Sequence, residues 1–342
     1  GDEIRLRLDA GDTPLLAPSP VAMTLEGGEV LGQNARVVRT KKSSVDQTIA
    51  SPLYKKNRVV ERYNQLTLSF RGDFGLIVRL YDDGLAYRFT SDRKGTLRVE
   101  DECVAFTFPS DCRAVVPYVA RGKEFDFESQ FFNSFENTYT TAPITELNPG
   151  RLIFLPALVE LDGGYKLVIT EADLEGYPGL YLRGNGETPE LRGVFAPYPK
   201  REEQGGHNRL QMLVREREGY IASTVGSIAG NDIELADNDM VYRLAPESRI
   251  GDTSWIRPGK VAWDWWNDWN LYGVDFEAGI NNDTYKYYID FASRNGIEYV
   301  ILDEGWAVNK KADLFQVIPE IDLQELVDYG RERNVGIVLW AG

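Results

Sequence analysis

The chain has 342 residues, too many for one ordinary core, and so points to two domains. Its formal net charge of −15 repels nucleic acid and anionic membranes, and it contains no run of 18 apolar residues that would cross a bilayer. One histidine, His207, and two cysteines, Cys103 and Cys112, exclude a Cys/His zinc cluster and argue against a histidine-dependent triad.

From residue 1 to about 250 the pattern is short strands and turns. Ala22 to Leu25 runs into Gly27-Gly28, and Asn64 to Phe70 alternates with Leu66, Leu68 and Phe70 on one face. Leu76 to Tyr81 and Leu85 to Phe89 are joined by Asp82-Asp83-Gly84, a hairpin signal resting on glycine's tolerance of positive φ. Cys103 and Cys112 flank Pro109 in an expected strand-turn-strand, where a cross-strand disulfide is open to geometry. Leu152 to Leu155, interrupted by Pro156, resumes as Leu158 to Leu161 and meets Lys166 to Thr170 across Asp162-Gly163-Gly164. Further strands are expected at Thr188–Val194, Leu210–Val214 and Val241–Leu244, and His207 falls in a polar turn. Strands at such spacing, with few helical patterns, predict a large antiparallel sandwich.

Residues 245 to 259 carry Pro246, Gly251, Pro258 and Gly259 and read as a linker, with the boundary drawn at 251–259. After it the grammar changes. Val261 to Trp266 reads as a strand, and Asp283 to Gly296 as a helix with Asp283 as N-cap and Gly296 closing it. Tyr299 to Asp303 is a second strand. Asp322-Leu-Gln-Glu325 opens a second helix running to about Asn334, and Val335 to Trp340 is a third strand. The strand starts recur about every 37 residues, the rhythm of β-α units in a parallel barrel. Three strands cannot close a barrel of eight, so residues 260–342 are expected to be its first three strands within a longer protein, with a small open α/β sheet as the alternative.

Barrel active sites lie at the C-terminal strand ends. That rule selects Trp263, Asp264, Trp265, Trp266 and Asn267 on the first strand, Asp303, Glu304 and Trp306 on the second, and Trp340 on the third. Carboxylates accept from sugar hydroxyls while indoles stack on the C–H face of the ring, so Asp264, Trp265, Asp303, Glu304 and Trp306 are the candidate substrate-binding residues. Tyr299, Ile301 and Asp303 share one side of the strand, and parity leaves open whether that side is the barrel interior. Glycoside hydrolysis needs two carboxyl groups flanking the bond, and no spacing makes any two of Asp264, Asp303 and Glu304 that pair.

Pro258-Gly-Lys-Val-Ala-Trp-Asp-Trp-Trp-Asn267 followed by Tyr299-Val-Ile-Leu-Asp-Glu-Gly-Trp306 resembles glycoside hydrolase family 97. The Tyr81 to Phe89 hairpin, Thr170-Glu-Ala-Asp-Leu174 and Tyr177-Pro178 are similar to that family's N-terminal domain, so the likeness covers essentially the whole chain. The resemblance implies an N-terminal β-super-sandwich, a (β/α)8 barrel and a small C-terminal β-domain. It implies an exo-acting, calcium-dependent α-glycosidase, an α-galactosidase or α-glucosidase acting on oligosaccharides, usually periplasmic. It maps Glu171 onto a calcium-binding carboxylate lent by the sandwich, and Trp306 onto a substrate-contacting position. The family's catalytic carboxylates and other calcium ligands fall beyond Gly342. From another class, the sandwich alone could be a carbohydrate-binding or interaction module.

Overall fold

The computed structural model describes residues 3–51, 53–95, 97–119, 127–131, 135–175, 177–196, 219–220, 223–229, 232–308 and 313–341. His207 and the expected strand Leu210–Val214 lie outside the described residues. The chain divides into two compact units, Gly1–Glu247 and Ser248–Gly342.

In the first unit two antiparallel sheets share one core. The smaller runs in the order Arg5–Ala10, Thr13–Leu25, Val99–Thr107, Glu190–Phe195, Leu180–Gly184. The larger runs Tyr139–Pro143, Arg113–Pro117, Ala157–Glu160, Lys166–Ala172, Ser223–Ala229, Gly84–Ser91, Phe74–Tyr81, Arg58–Phe70, Val37–Ala50. Val21, Val104 and Leu191 of the smaller sheet belong to the same buried cluster as Leu76, Phe89, Leu167 and Ile169 of the larger. Each such side chain contributes about 1.5–3 kcal/mol through removal from water. Burial at Val21, Met23 and Leu25, every second residue, is the period-two signature that holds the register. The edge strand Val37–Ala50 is almost wholly exposed and carries Arg39, Lys41 and Lys42, charges that discourage edge-to-edge pairing.

Both expected hairpins form. Tyr81 pairs with Gly84, so Asp82-Asp83 is the whole turn. Gly84 lies in the strand and has no positive φ; the left-handed glycines are Gly163 and Gly164 in the other hairpin. Leu152–Leu155 is not a strand; among the described residues Ile153 makes isolated bridges to Tyr118 and Leu182.

One further expectation is corrected, and the question of a disulfide is settled. Val241–Leu244 is not a strand but part of a helix, Met240–Leu244. The Asn238 side chain accepts from the Met240 N–H, and fully buried Met240 packs against Tyr81, Ala86 and Ala172. Tertiary packing here overrides β-branched propensity. Cys103 and Cys112 are free thiols. Cys103 sits in Val99–Thr107 of the smaller sheet, whereas Cys112 leads into Arg113–Pro117 of the larger, so no hairpin brings them together.

The second unit is a parallel sheet in the order Val261–Trp263, Tyr299–Leu302, Gly336–Leu339, with helices Asn282–Asn295 and Leu323–Glu332 as crossovers. Val300 and Leu302 join Tyr285, Ile289, Ala292 and Leu326 in the helix-covered core. Tyr299 and Ile301, paired with Val261 and Trp263, take the opposite face. The first helix is capped by Asn281, whose side chain accepts from the Thr284 N–H, and not by Asp283, which stands in the first turn. Left-handed Gly296 closes it as expected, and Asp322 caps the second helix by accepting from the Glu325 N–H. Among the described residues no helix is long and apolar enough to cross a membrane.

Candidate functional site

Aromatic and acidic side chains gather at the C-terminal ends of the first two parallel strands. Trp263 stacks on Trp265 with centroids 5.6 Å apart, and Trp266 stands edge-on to both at 5.6 and 5.8 Å. They are 39%, 50% and 73% exposed, a large aromatic surface for one corner of a unit. Asp303, nearly buried, ties this corner to the second strand. One carboxylate oxygen accepts from the Trp263 indole N–H and the other from the Glu304 N–H at 2.6 Å. Asp303 thus lies with Tyr299 and Ile301 on the sheet face away from the helices.

Beyond Asp303 the chain turns at Gly305. Its φ of 104° is a conformation that strains any residue with a side chain, and a Cβ there would also displace Ile280 Cδ1, 2.4 Å away. The turn leaves Glu304 exposed and sends Trp306 inward. Trp306 is 3% exposed, lies in the helix-covered core, and donates its indole N–H to the Trp340 carbonyl at 2.9 Å. Asp264 is also interior, at 0% exposure. Neither of its carboxylate oxygens reaches hydrogen-bond geometry with a described residue, although Tyr285 and Trp269 lie close enough to favour its charge. Burial pushes its carboxyl up, and those two groups only partly oppose the rise. Of the five candidates, Trp265 and Glu304 stand at the surface corner, Asp303 is buried at its base and tied to both strands, and Asp264 and Trp306 lie in the interior.

Trp269 and Tyr285 were missed. The Trp269 indole N–H donates to the Tyr285 hydroxyl at 3.1 Å, joining the loop after the first strand to the first helix. A readable signal existed in Asn267-Asp268, residue types that tolerate tight turns and precede a tryptophan.

In the first unit Glu171 closes the strand Lys166–Ala172, half-buried, with both oxygens accepting from the Leu180 N–H at 2.9 and 2.8 Å. Burial pushes its carboxyl up to about 7, against the lowering effect of that N–H. Nearby Glu102, 3% exposed, is likewise pushed up to about 7 by burial, although the Tyr177 hydroxyl donates to it at 2.6 Å. Glu102 was also missed, though period two puts it in phase with buried Val104 and Phe106. Calcium takes six to eight oxygens. Among the described residues no group of three or more Asp, Glu, His or Cys side chains could hold a metal. Glu171 is a hard oxygen donor whose burial a cation would offset, but by itself it is not a cage.

Comparison with known proteins accounts for both units. The family model described as Glycosyl-hydrolase 97 N-terminal matches residues 2–246, and the one described as Glycoside hydrolase 97 matches 265–342. The chain is 54% identical, over its full length, to a protein of Bacteroides thetaiotaomicron named "Retaining alpha-galactosidase", covering 53% of it. It is 32% identical over 99% of its length to a "Probable retaining alpha-galactosidase" of Streptomyces bingchenggensis, covering 51% of that protein. Among solved structures, a family 97 enzyme from Pseudoalteromonas sp. strain K8 in complex with acarbose superposes with a TM-score of 0.79 at 18% identity, over 98% of this chain and 51% of that one, which shows the shared fold. The chain spans about half the length of the curated relatives it matches. On the match of its N-terminal 245 residues and of its C-terminal stretch alike, the chain belongs to glycoside hydrolase family 97.

Proposed function

We propose that this chain serves an exo-acting, calcium-dependent α-glycosidase that releases a terminal α-linked galactose, or glucose, from an oligosaccharide with retention of configuration, in the periplasm or outside the cell. The observation that carries this reading is the 54% identity, across the whole chain, to a protein named a retaining alpha-galactosidase. The three-stranded parallel sheet is read as the start of a (β/α)8 barrel, whose chemistry sits at the C-terminal strand ends. That is where Trp263, Asp303 and Glu304 stand.

The share of the reaction assigned to this chain is recognition. Trp265 and Trp266 offer indole faces to the C–H side of a sugar ring, and exposed Glu304 accepts from its hydroxyls. Asp303 fixes the Trp263 indole, and Trp306 anchors the Glu304 turn from below. A retaining hydrolase needs a nucleophile and an acid/base about 5–5.5 Å apart, both open to substrate. Asp264 and Asp303, buried as they are, do not offer that pair. Glu171 would hold one position of the calcium ion, which when bound supplies a fixed positive charge that polarises oxygen atoms.

The test uses the full-length enzyme with p-nitrophenyl α-galactoside and α-glucoside, the anomer being followed by proton NMR. The expected result is faster galactoside hydrolysis with the α-anomer appearing first, and at least about tenfold loss on exhaustive chelation, reversed by calcium. No release from either glycoside would sink the reading. Undiminished activity after chelation would remove calcium from it, and a β-anomer would remove retention.

A further inference from the structure

The loop from Trp265 to Asn270 is held in an unfavourable shape. It starts as a 3-10 turn, Trp265–Asn267, and then passes through Asp268 at φ 53° and Trp269 at φ 52°. Two consecutive non-glycine residues in the left-handed region are strained, and such backbone persists only where its surroundings over-determine it. The surroundings are specific. The Asn267 and Trp269 N–H groups both donate to the Asp264 carbonyl, at 3.3 and 3.2 Å. The side chains of Asn267 and Asn270 each donate to the other's carbonyl at 2.9 Å. From the first helix, the Tyr288 hydroxyl donates to Asn267 Oδ1 at 2.7 Å, and the fully buried Tyr285 hydroxyl accepts from the Trp269 indole at 3.1 Å. Having accepted there, the Tyr285 hydroxyl retains one proton to donate. The carboxylate it favours is Asp264, at 0% exposure and outside hydrogen-bond geometry with the described residues. A carboxylate in that position binds no sugar hydroxyl; its neighbours are the groups that shape the loop.

We propose that Asp264, Tyr285 and Trp269 form a latch that holds the strained loop so that Trp266, edge-on to the stacked Trp263–Trp265 pair, presents its indole face as a platform to a neutral sugar ring, with Asp264 as a positioning residue and not a substrate contact. This rests on the proposed glycosidase function for its ligand, but the latch itself does not. Geometry sets the ligand class. The indoles lie edge to face at 5.8 Å, and Asp303 and Glu304 stand beside them. The site therefore stacks apolar C–H faces, accepts from hydroxyls and repels anions.

The test compares full-length wild type with Asp264→Asn, Tyr285→Phe, the double variant and Trp266→Ala. Hydrogen exchange over residues 264–270 reads the latch without reference to activity. Each latch variant should exchange at least tenfold faster there while the helix Asn282–Asn295 keeps its protection, and the double variant should be no faster than the worse single one. With an α-galactosyl oligosaccharide, or its glucosyl counterpart, the latch variants should raise KM about five-fold or more, with the loss falling on KM and not on kcat. In a Trp266→Ala background the same substitutions should move KM less than two-fold. Unchanged exchange at 264–270 in both single variants, or effects that multiply in the double, would overturn the latch. Faster exchange with unmoved KM would overturn its link to the platform. A wild type that hydrolyses neither glycoside fails the proposed function while leaving the exchange result to judge the latch. Tyr285→Phe keeps the ring in the core, so a fold-wide loss of protection confined to Asp264→Asn still leaves that variant as the test.

Discussion

The two units bury carboxylates under different terms. In the sandwich, Glu102 lies between sheets and meets the Tyr177 hydroxyl at 2.6 Å, while Glu171 takes the Leu180 N–H on both oxygens. In the parallel-sheet unit, Asp303 is doubly satisfied by an indole and a backbone N–H, yet Asp264 beside it reaches no partner in hydrogen-bond geometry among the described residues. An unpartnered buried carboxylate costs several kcal/mol, and a single hydroxyl donor recovers only part of it, as the raised carboxyl of Glu102 beside Tyr177 shows. The sandwich gives each of these buried carboxylates a donor from a neighbouring segment, whereas the second unit concentrates tension at one strand end, beneath its exposed tryptophans.

The largest effect that would sharpen this contrast is expected at Trp306, which separates support from surface in the second unit. Trp306→Ala removes an indole from a core shared with Leu302 and Leu326 and leaves the Trp340 carbonyl without that donor. Denaturant unfolding should show a loss of about 3–5 kcal/mol. If the loss were under about 1 kcal/mol, Trp306 would be a surface residue in practice and the division between platform and foundation would fail.

A smaller but more diagnostic effect is the pH dependence of the sandwich. The ordinary value for Glu102 is 4.5, and burial pushes it up to about 7 in the folded protein. The fold therefore favours the protonated form. The stability Glu102 contributes is fully present below about pH 4.5 and is lost as pH rises through about 7, a change of about 3 kcal/mol. Glu171 acts in the same direction. Paired carboxylates such as Glu29 and Glu160, held low by Arg93 and Arg113, act in the opposite one, so only the difference between variants isolates the residue. Urea melts at pH 5 and pH 8 should show Glu102→Gln gaining on wild type as pH rises. Parallel pH profiles for the two proteins would mean that Glu102 is not the buried acid its position implies.

Much of this architecture was legible in the sequence because the signals are local. Asp82-Asp83, Gly163-Gly164, Gly296 and Asp322 act within a few residues of themselves, and the chain turns, ends or caps where they stand. What was not legible depended on partners distant in sequence. Met240 forms a helix because Tyr81, Ala86 and Ala172 leave a pocket for it. Cys103 and Cys112 stay apart because their strands join different sheets. At the site, Trp265, Asp303 and Glu304 follow from the strand-end rule, but strand parity could not foretell that Asp264 and Trp306 face inward. The first is turned by a 3-10 start and two left-handed residues, the second by the positive φ of Gly305.

The smallest effect concerns where the first helix begins, since that start sets Tyr285 and hence the tension around Asp264. Asn281 Oδ1 accepts from the Thr284 N–H at 2.9 Å, and its Nδ2 donates to the Glu277 carbonyl at 2.9 Å, so one side chain satisfies the helix and the incoming loop. Asn281→Ala should cost about 1 kcal/mol, as lost N-caps do. Asp283 stands in the first turn, where a carboxylate gains only from the aligned peptide dipoles, so Asp283→Ala should cost about 0.3–0.5 kcal/mol. Salt separates the two further, because screening weakens the dipole contribution and leaves the cap's hydrogen bond nearly untouched. Thermal melts at low and high ionic strength should therefore show the Asp283→Ala deficit shrinking while that of Asn281→Ala persists. A reversed order of costs would restore Asp283 as the cap and shift the helix start by two residues, leaving the Asn281–Thr284 hydrogen bond outside the helix.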